Sequence, residues 1–332
     1  FEQNDFGKGT SSRSTKLVHG GVRYLKQGNV PLVMEALRER GILRQNAPHL
    51  VSDLPFVVPN YKWCEAPFYG VGMRVYDVLA GKYGFGHSKN LTVEETIERL
   101  PTIETEGLRG GVVYHDGQFD DARLLVHLAM TAAEQGAALV NYCPVAGLLK
   151  DDDGFTTGVR VRDEETAEEV EVAAHVVVNA TGAFTDGVRR MDDPDARPII
   201  RPSQGVHIVL DRDFLPGSNA IMVPETDDGR VLFAIPWHER VLVGTTDTPI
   251  DEVALEPRAL KEEVDFLVEH AARYLTRAPT TADHTRVFVG IRPLVAEAEA
   301  AETAEISREH AVRISDSGLL TIAGGKWTTY RK

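Results

Sequence analysis

One segment restricts the fold of this chain most: the apolar run "HVVVNATGA" (175–183), which ends in small residues. A continuous apolar run is typical of a strand buried on both faces of a parallel sheet. Upstream, "DDARLLVHLAMTAAEQGAALVNY" predicts a helix with Leu124, Leu128 and Ala132 on one face, ended by Gly136. A strand, Ala138–Tyr142, is expected next. This order of elements indicates a doubly wound α/β sheet, which binds ligands where its strands end.

The remaining elements predict a second kind of sheet. Gly158–Arg162 and Glu169–Ala173 alternate as a hairpin, and residues 55–86 predict irregular structure around a short helix, Val71–Leu79. A further helix is expected with an apolar stripe of Leu260, Val264, Leu267 and Ala271. Short strands indicate a mixed, largely antiparallel sheet in the second half; they are "GVHIVL", "RVLFAIPW", "RVLVGTTD", "TRVFVGIRP", "HAVRIS" and "LLTIAGG".

Length and charge exclude several classes of protein. The 332 residues suffice for two domains, and a net charge of −14 argues against a nucleic-acid binder, although local clusters can still hold small anions. Cys64 and Cys143 lie far apart, so we expect no disulfide framework and no metal site, and a reducing compartment. No apolar run is long enough to span a membrane, which leaves peripheral attachment open. Both ends fall inside predicted elements, so we expect a fragment of a longer protein.

Three segments suit a bound ligand. "TSSRSTKLVHGGVRYLKQG" (10–28) crowds hydrogen-bond donors around His19 and two glycines. "NATGA" (179–183) either brings backbone close to a flat or phosphorylated ligand or forms a tight turn. "AGGKWTTYRK" (323–332) predicts a helix that starts near Lys326, and its N–H groups would face an oxyanion or ring carbonyl or simply be capped.

Several charged residues have two interpretations each. Arg292 lies in the apolar run "VGIRPL" and needs a partner, either a carboxylate or an anionic substrate. His207, on an apolar strand, is either a core histidine or a general base. Glu2 is either a surface residue or a ribose ligand, and "GTTDTP" (244–249) is interpreted as a turn.

Taken together, the segments resemble the FAD-dependent glycerol-3-phosphate dehydrogenases. The resemblance rests on "TSSRSTKLVHGGVRYL", "YHDGQFDDARL", "NATGAFTD", "GVHIV", "GTTDTP", "GIRPL", "ISREH" and "GGKWTTYR", in this order. The residues of these segments favour the mitochondrial-type branch of the family. It implies a mixed α/β chain with a glutathione-reductase-like FAD-binding domain and an antiparallel-sheet substrate domain. The FAD domain would comprise 1–50 and 110–190, closed by 318–332, and the substrate domain 51–109 and 191–317. The family's Gly-x-Gly-x-x-Gly turn would precede Phe1.

The resemblance also implies an activity. The enzyme would oxidise sn-glycerol 3-phosphate to dihydroxyacetone phosphate and pass electrons through FAD to a membrane quinone. It would lie peripherally on the inner face of the cell membrane, or on the mitochondrial inner membrane in a eukaryote, with a homodimer left open. Alternatives are an oxidase that uses oxygen, another FAD-dependent amine or hydroxy-acid oxidoreductase, and a binding protein that has lost catalysis.

The resemblance also assigns roles to individual residues. His207 would be the base, Arg292 would orient the substrate, and Lys326 would place positive charge beside the flavin. The implied substrate ligands are Arg23, Tyr24, His207, Arg292, Arg308 and Lys326. The implied FAD contacts are Glu2, Thr10, Ser11, Ser12, His19, Gly20, Gly21, Val145, Ala180, Thr181, Gly182, Gly325, Lys326 and Trp327.

Overall fold

The computed structural model describes residues 1–26, 28–63, 65–227, 229–295 and 310–332. The helices are α1 (Val22–Lys26), α2 (Val30–Asn46), α3 (Glu65–Ala80), α4 (Val93–Arg99), α5 (Asp121–Glu134), α6 (Thr185–Asp192) and α7 (Lys261–Ala272). The strands are β1 (Leu17–Val18), β2 (Val51–Pro59), β3 (Lys89–Leu91), β4 (Gly111–Phe119), β5 (Val145–Lys150), β6 (Thr156–Arg162), β7 (Glu169–Ala173), β8 (Val178–Asn179), β9 (Ile200–Asp211), β10 (Ala220–Val223), β11 (Leu232–Trp237), β12 (Arg240–Gly244), β13 (Thr248–Pro249), β14 (Arg286–Val295), β15 (His310–Ile314) and β16 (Leu320–Gly324). Among the described residues, no helix combines the length and apolar character needed to cross a bilayer.

The strands form three sheets. The largest runs β1-β4-β2-β10-β11-β12-β9-β13, with β14 on β9 and β3 on β4. This sheet is mixed, because β10 pairs parallel to β2 while all the other strand pairs of the sheet are antiparallel. Smaller sheets run β15-β16-β8 and β5-β6-β7. The predicted domain division cuts the large sheet between β2 and β4, and it stays a prediction.

Helices cover both faces of the large sheet. On one face α2 and α3 contribute Leu37, Met73 and Tyr76, which pack against Phe56 and Tyr114 of the strands. On the other face α7 packs its predicted apolar stripe against the sheet, and Leu267 and Ala271 are buried as expected. Leu260 instead precedes the helix and is exposed. The buried apolar side chains supply the main stabilisation of these layers.

Local predictions were confirmed where capping and alternation fix the backbone. The sequence predicts that Asn29 caps a helix with Pro31 in its first turn, and Asn29 caps α2 by accepting a hydrogen bond from the Leu32 N–H. The predicted hairpin forms as β6 and β7. Helix α5 ends just before Gly136, as predicted. The helix expected at Lys326 is a single 3₁₀ turn, Trp327–Thr329.

Three local predictions were wrong. Residues 138–142 form no regular strand, because Tyr142 has φ 51° and the backbone bonds the segment Glu2–Asn4 instead. Residues 55–86 are more regular than expected, since Pro67 lies in the first turn of α3, where no backbone bond needs its N–H. The apolar run at 175–183 contributes only β8, and Val176 and Val178 are 60% and 52% exposed because they line a cleft.

Candidate active site

A cleft of about 1960 Å³ brings together most of the residues that the sequence predicted for ligand binding. The predicted residues that line it are Glu2, Thr10, Ser11, His19, Gly21, Tyr24, Val145, Ala180, Thr181, Gly182, His207, Arg292, Gly325, Lys326 and Trp327. Ser12 and Gly20 do not line the cleft. Arg23 is in α1, but its side chain and the whole of Arg308 lie outside the described residues.

The pairing of β9 with β14 builds the polar end of the cleft. His207 lies opposite Phe288, Gly205 opposite Gly290, and Ser203 opposite Arg292. Because alternate residues share one face of a strand, these three pairs form a row. The two glycines leave a gap in the middle of the row, so a side chain from either end can lie over it.

The Arg292 guanidinium fills part of that gap. A Cβ atom at Gly205 would stand 2.4 Å from Arg292 Nη2, so only glycine leaves room here. Arg292 donates to Asp247 Oδ1 at 3.2 Å and to Thr245 Oγ1 at 3.0 Å. The partner that Arg292 requires is therefore a carboxylate, although Asp247 belongs to the "GTTDTP" segment that the sequence indicated only as a turn. The apolar surroundings of Arg292 were the signal that it needs a partner, either a carboxylate or an anionic substrate.

The "GTTDTP" segment is held in place by a buried carboxylate of α7. Thr246 and Thr248 both donate to Glu263 Oε1, at 3.1 and 2.6 Å. Gln204 of β9 donates to the other oxygen of Glu263 at 2.7 Å. Hydroxyl groups at these positions thus fix the loop that presents Asp247 to Arg292.

His207 is almost fully buried at the same end of the cleft. Its ring stacks on Phe288 with centroids 4.6 Å apart, and its Nε2 lies 2.8 Å from the Thr15 hydroxyl. Burial, with the positive charges of Arg292 and Lys16, lowers the pKa of His207 to about 3. The imidazole is therefore neutral near pH 7. Thr15 was not singled out from the sequence, because its contact with His207 exists only in the folded chain.

Lys16 and Ser14, to which the sequence assigned no role, anchor the polar loop, which comprises residues 10–21. Lys16 donates to both oxygens of Asp121 at 2.7 and 2.8 Å, and Ser14 donates to the same carboxylate at 2.7 Å. Asp121 is buried in the first turn of α5. Lys16 also donates to the Ser12 carbonyl at 2.6 Å, so this ion pair sets the path of residues 12–16.

The segment after β16 closes against the same loop. Trp327 donates from its indole nitrogen to the Ser11 carbonyl at 2.8 Å, and the Lys326 ammonium lies 5.3 Å from the centre of the Tyr24 ring. Residues far apart in sequence thus form one continuous wall. This closure places the two predicted flavin-contacting segments side by side.

The wall suits the expected cofactor, FAD. At Gly182 and Gly325 the backbone has φ values of 58° and 76°, so no side chain projects into the cleft there. Exposed Val176 and Val178 supply an apolar surface. Thr10 and Thr181 supply hydroxyl oxygens, whose hydrogens are donated to the Ile291 carbonyl and to Asn179 Oδ1. A ligand with a flat ring and a pyrophosphate needs this combination of close backbone, apolar wall and polar groups.

Comparison with known proteins gives consistent relatives. The profile of the family described as FAD dependent oxidoreductase matches residues 1–331. The mitochondrial glycerol-3-phosphate dehydrogenase of Homo sapiens is 46% identical over 344 residues, covering 99% of this chain and 47% of that protein. Its counterpart in Arabidopsis thaliana is 44% identical over 342 residues, covering 99% and 54%. The chain thus spans about half the length of these relatives.

One solved structure is similar in both sequence and fold. It is the glycerol-3-phosphate dehydrogenase from Bacillus halodurans complexed with FAD, with a TM-score of 0.78 and 33% identity. The match covers 99% of this chain and 56% of that one.

Proposed function

Because this chain belongs to the FAD dependent oxidoreductase family, we propose that its protein oxidises sn-glycerol 3-phosphate to dihydroxyacetone phosphate. Membership confirms the predicted FAD and the mixed α/β fold. The substrate is suggested by the names of the relatives. The observation that carries the proposal is the position of Arg292 and His207 together at one end of a cleft whose other walls suit a flavin.

Arg292 orients the substrate in this proposal. Asp247 and Thr245 hold its planar fork in one direction, so it meets an anionic oxygen without first losing side-chain freedom. Arg23, Tyr24, Arg308 and Lys326 complete the substrate ligands. Fixing the phosphate fixes C2 of the substrate, so binding energy at a remote group serves the reacting carbon.

His207 is the proposed acceptor of the C2 hydroxyl proton. Its neutral ring can accept a proton, but a pKa of about 3 makes it a weak base in the empty site. A bound phosphate dianion would offset the positive charge of Arg292 and Lys16 and so raise that pKa. FAD, when bound, would supply the hydride acceptor; the implied FAD contacts would hold it, and Lys326 would add positive charge to its site. Proton acceptance is thus coupled to occupancy by the anionic substrate.

A membrane quinone is the proposed electron acceptor, and α3 offers a surface for peripheral attachment. Four apolar side chains at helical spacing are exposed on α3, at 43 to 79%: Phe68, Val71, Val75 and Val78. The neighbouring Lys62, Arg74 and Lys82 are exposed, whereas the carboxylates Glu65 and Asp77 are engaged in local hydrogen bonds. Apolar residues bordered by cations suit a surface of anionic lipid. Because the proposed acceptor is a membrane quinone, the proposed location of the protein is the surface of a membrane, either the cell membrane or the mitochondrial inner membrane.

The experiment uses the full-length protein with its flavin. Glycerol 3-phosphate should bleach the flavin absorbance, and Arg292→Ala should abolish this bleaching. Arg240→Ala is the matched control, because it removes an exposed arginine paired with Asp211 on the same sheet. Normal bleaching in Arg292→Ala would overturn the assignment of Arg292. Rapid oxygen uptake without quinone reduction would favour the oxidase alternative.

A further inference from the structure

A buried polar network borders the cleft at Asp116 and lies within the apolar layer between the large sheet and the helices α2 and α3. Arg40 of α2 donates to Asp116 Oδ1 at 2.6 Å, and Tyr76 of α3 donates to Asp116 Oδ2 at 2.8 Å. All three side chains are at most 2% exposed. Burial raises the pKa of Tyr76, which keeps its hydroxyl a donor to Asp116. No step of the proposed reaction uses this network.

The Tyr76 hydroxyl touches the polar loop from behind. A Cβ atom at Gly20 would stand 2.4 Å from the Tyr76 hydroxyl and 2.5 Å from Leu37 Cδ2, so the loop backbone packs directly on both groups. On the opposite side, the Thr328 hydroxyl donates to the His19 carbonyl at 3.4 Å. The segment 19–21 is therefore held between Tyr76 and the turn that follows β16.

We infer that Tyr76 is a positioning residue: its hydroxyl, fixed by Asp116 and Arg40, holds the segment 19–21 in place in the wall of the cleft that would bind FAD. This rests on the proposed function only in taking this cleft wall as the flavin site. An ion pair of this kind, buried in an apolar layer, has one orientation, since any other leaves a charge unpaired. Rigid support of this kind lowers the entropy that the loop loses when a ligand binds.

The test is Tyr76→Phe in the full-length protein, which keeps the ring and removes the hydroxyl. Amide hydrogen exchange of the apoprotein should rise about tenfold for the peptide that spans 19–21, because one buried hydrogen bond of its support is lost. The Kd for FAD should rise by a similar factor. The KM for glycerol 3-phosphate should hardly change. Exchange and FAD affinity do not depend on which substrate the enzyme uses, so they separate this inference from the proposed function.

Tyr61→Phe is the matched control. Like Tyr76→Phe, it removes a hydroxyl that donates one hydrogen bond, here to the Glu104 carbonyl at 2.8 Å. Tyr61 is half-buried and does not line the cleft. The control variant should leave both the exchange at 19–21 and the FAD affinity unchanged. If both variants lowered the melting temperature equally and amide exchange at 19–21 were unchanged in Tyr76→Phe, Tyr76 would have only a structural role and the inference would be overturned.

Discussion

The Nε2 atom of His207 lies 2.8 Å from the hydroxyl oxygen of Thr15, although 192 residues separate the two in sequence. The other ring nitrogen, Nδ1, is buried, and no described residue offers it a hydrogen bond. A protonated ring would therefore hold one N–H without an acceptor, beside the positive charge of Arg292. The contact with Thr15 thus belongs to a neutral histidine.

We expect the apoprotein to become less stable as the pH is lowered, because of His207. Its pKa is about 3 when folded and near 6.5 when unfolded, so the unfolded chain binds the proton more readily. The stabilising effect of the neutral ring is complete above about pH 6.5 and is lost progressively as the pH falls towards 3. Denaturation curves of the wild type and His207→Gln should show a smaller pH dependence in the variant over this window. A ring that titrates near pH 6.5 by NMR in the folded apoprotein would contradict this expectation.

Gly205→Ala should weaken substrate binding without removing any charge. The new methyl group would meet Arg292 Nη2 at 2.4 Å and displace the guanidinium from Asp247 and Thr245. Loss of a charge-assisted hydrogen bond corresponds to roughly 10- to 100-fold in KM for glycerol 3-phosphate. Gly72→Ala on α3 is the control, because nothing lies within 4 Å of a Cβ atom there. Steady-state kinetics decide, and an unchanged KM in Gly205→Ala would exclude a substrate role for the guanidinium orientation.

Asp121→Asn should destabilise the protein strongly. It leaves the buried Lys16 ammonium without its counter-ion and weakens the bond from Ser14, at a cost of about 3 kcal/mol in the free energy of unfolding. Asp265→Asn breaks an exposed pair with Lys261 and should change stability little. Urea denaturation measures both. Equal stability of the two variants would mean that solvent screens the Lys16–Asp121 pair.

Charge placed on the α3 surface should release the protein from membranes. Val71→Glu with Val78→Glu puts two carboxylates among the exposed apolar residues, where they oppose both insertion and attraction to anionic lipid. Cosedimentation with phosphatidylserine-containing vesicles should fall at least tenfold, while bleaching of the flavin by substrate in detergent should persist. Val126→Glu on the exposed side of α5 is the control. Unaltered vesicle binding in the double variant would exclude α3 as the contact.

Local pattern determined a large part of this protein. Alternation, capping and apolar stripes predicted the hairpin β6–β7, the helices α2, α5 and α7, and six strands of the second half, because these depend on neighbours in sequence. The six strands are β9, β11, β12, β14, β15 and β16. Motif resemblance indicated FAD, and most of the predicted contacts line one cleft. Patterns failed at 138–142 and 175–183, where the surroundings of the segment, and not its own composition, decide burial.

Residue chemistry alone required a partner for Arg292 in its apolar segment, but did not say which partner. Only the register of β9 with β14 places Arg292 opposite Ser203, with its guanidinium over Gly205, and only the loop before β13 then brings Asp247 within 3.2 Å. In the same way, only the folded chain brings the Thr15 hydroxyl to the His207 ring and the Tyr76 hydroxyl to the Gly20 backbone. The sequence by itself determined many of the elements and the class of ligand, because periodicity and functional groups are local properties. The tertiary structure decided which groups meet, because hydrogen bonds and ion pairs depend on distances that strand register and helix packing set.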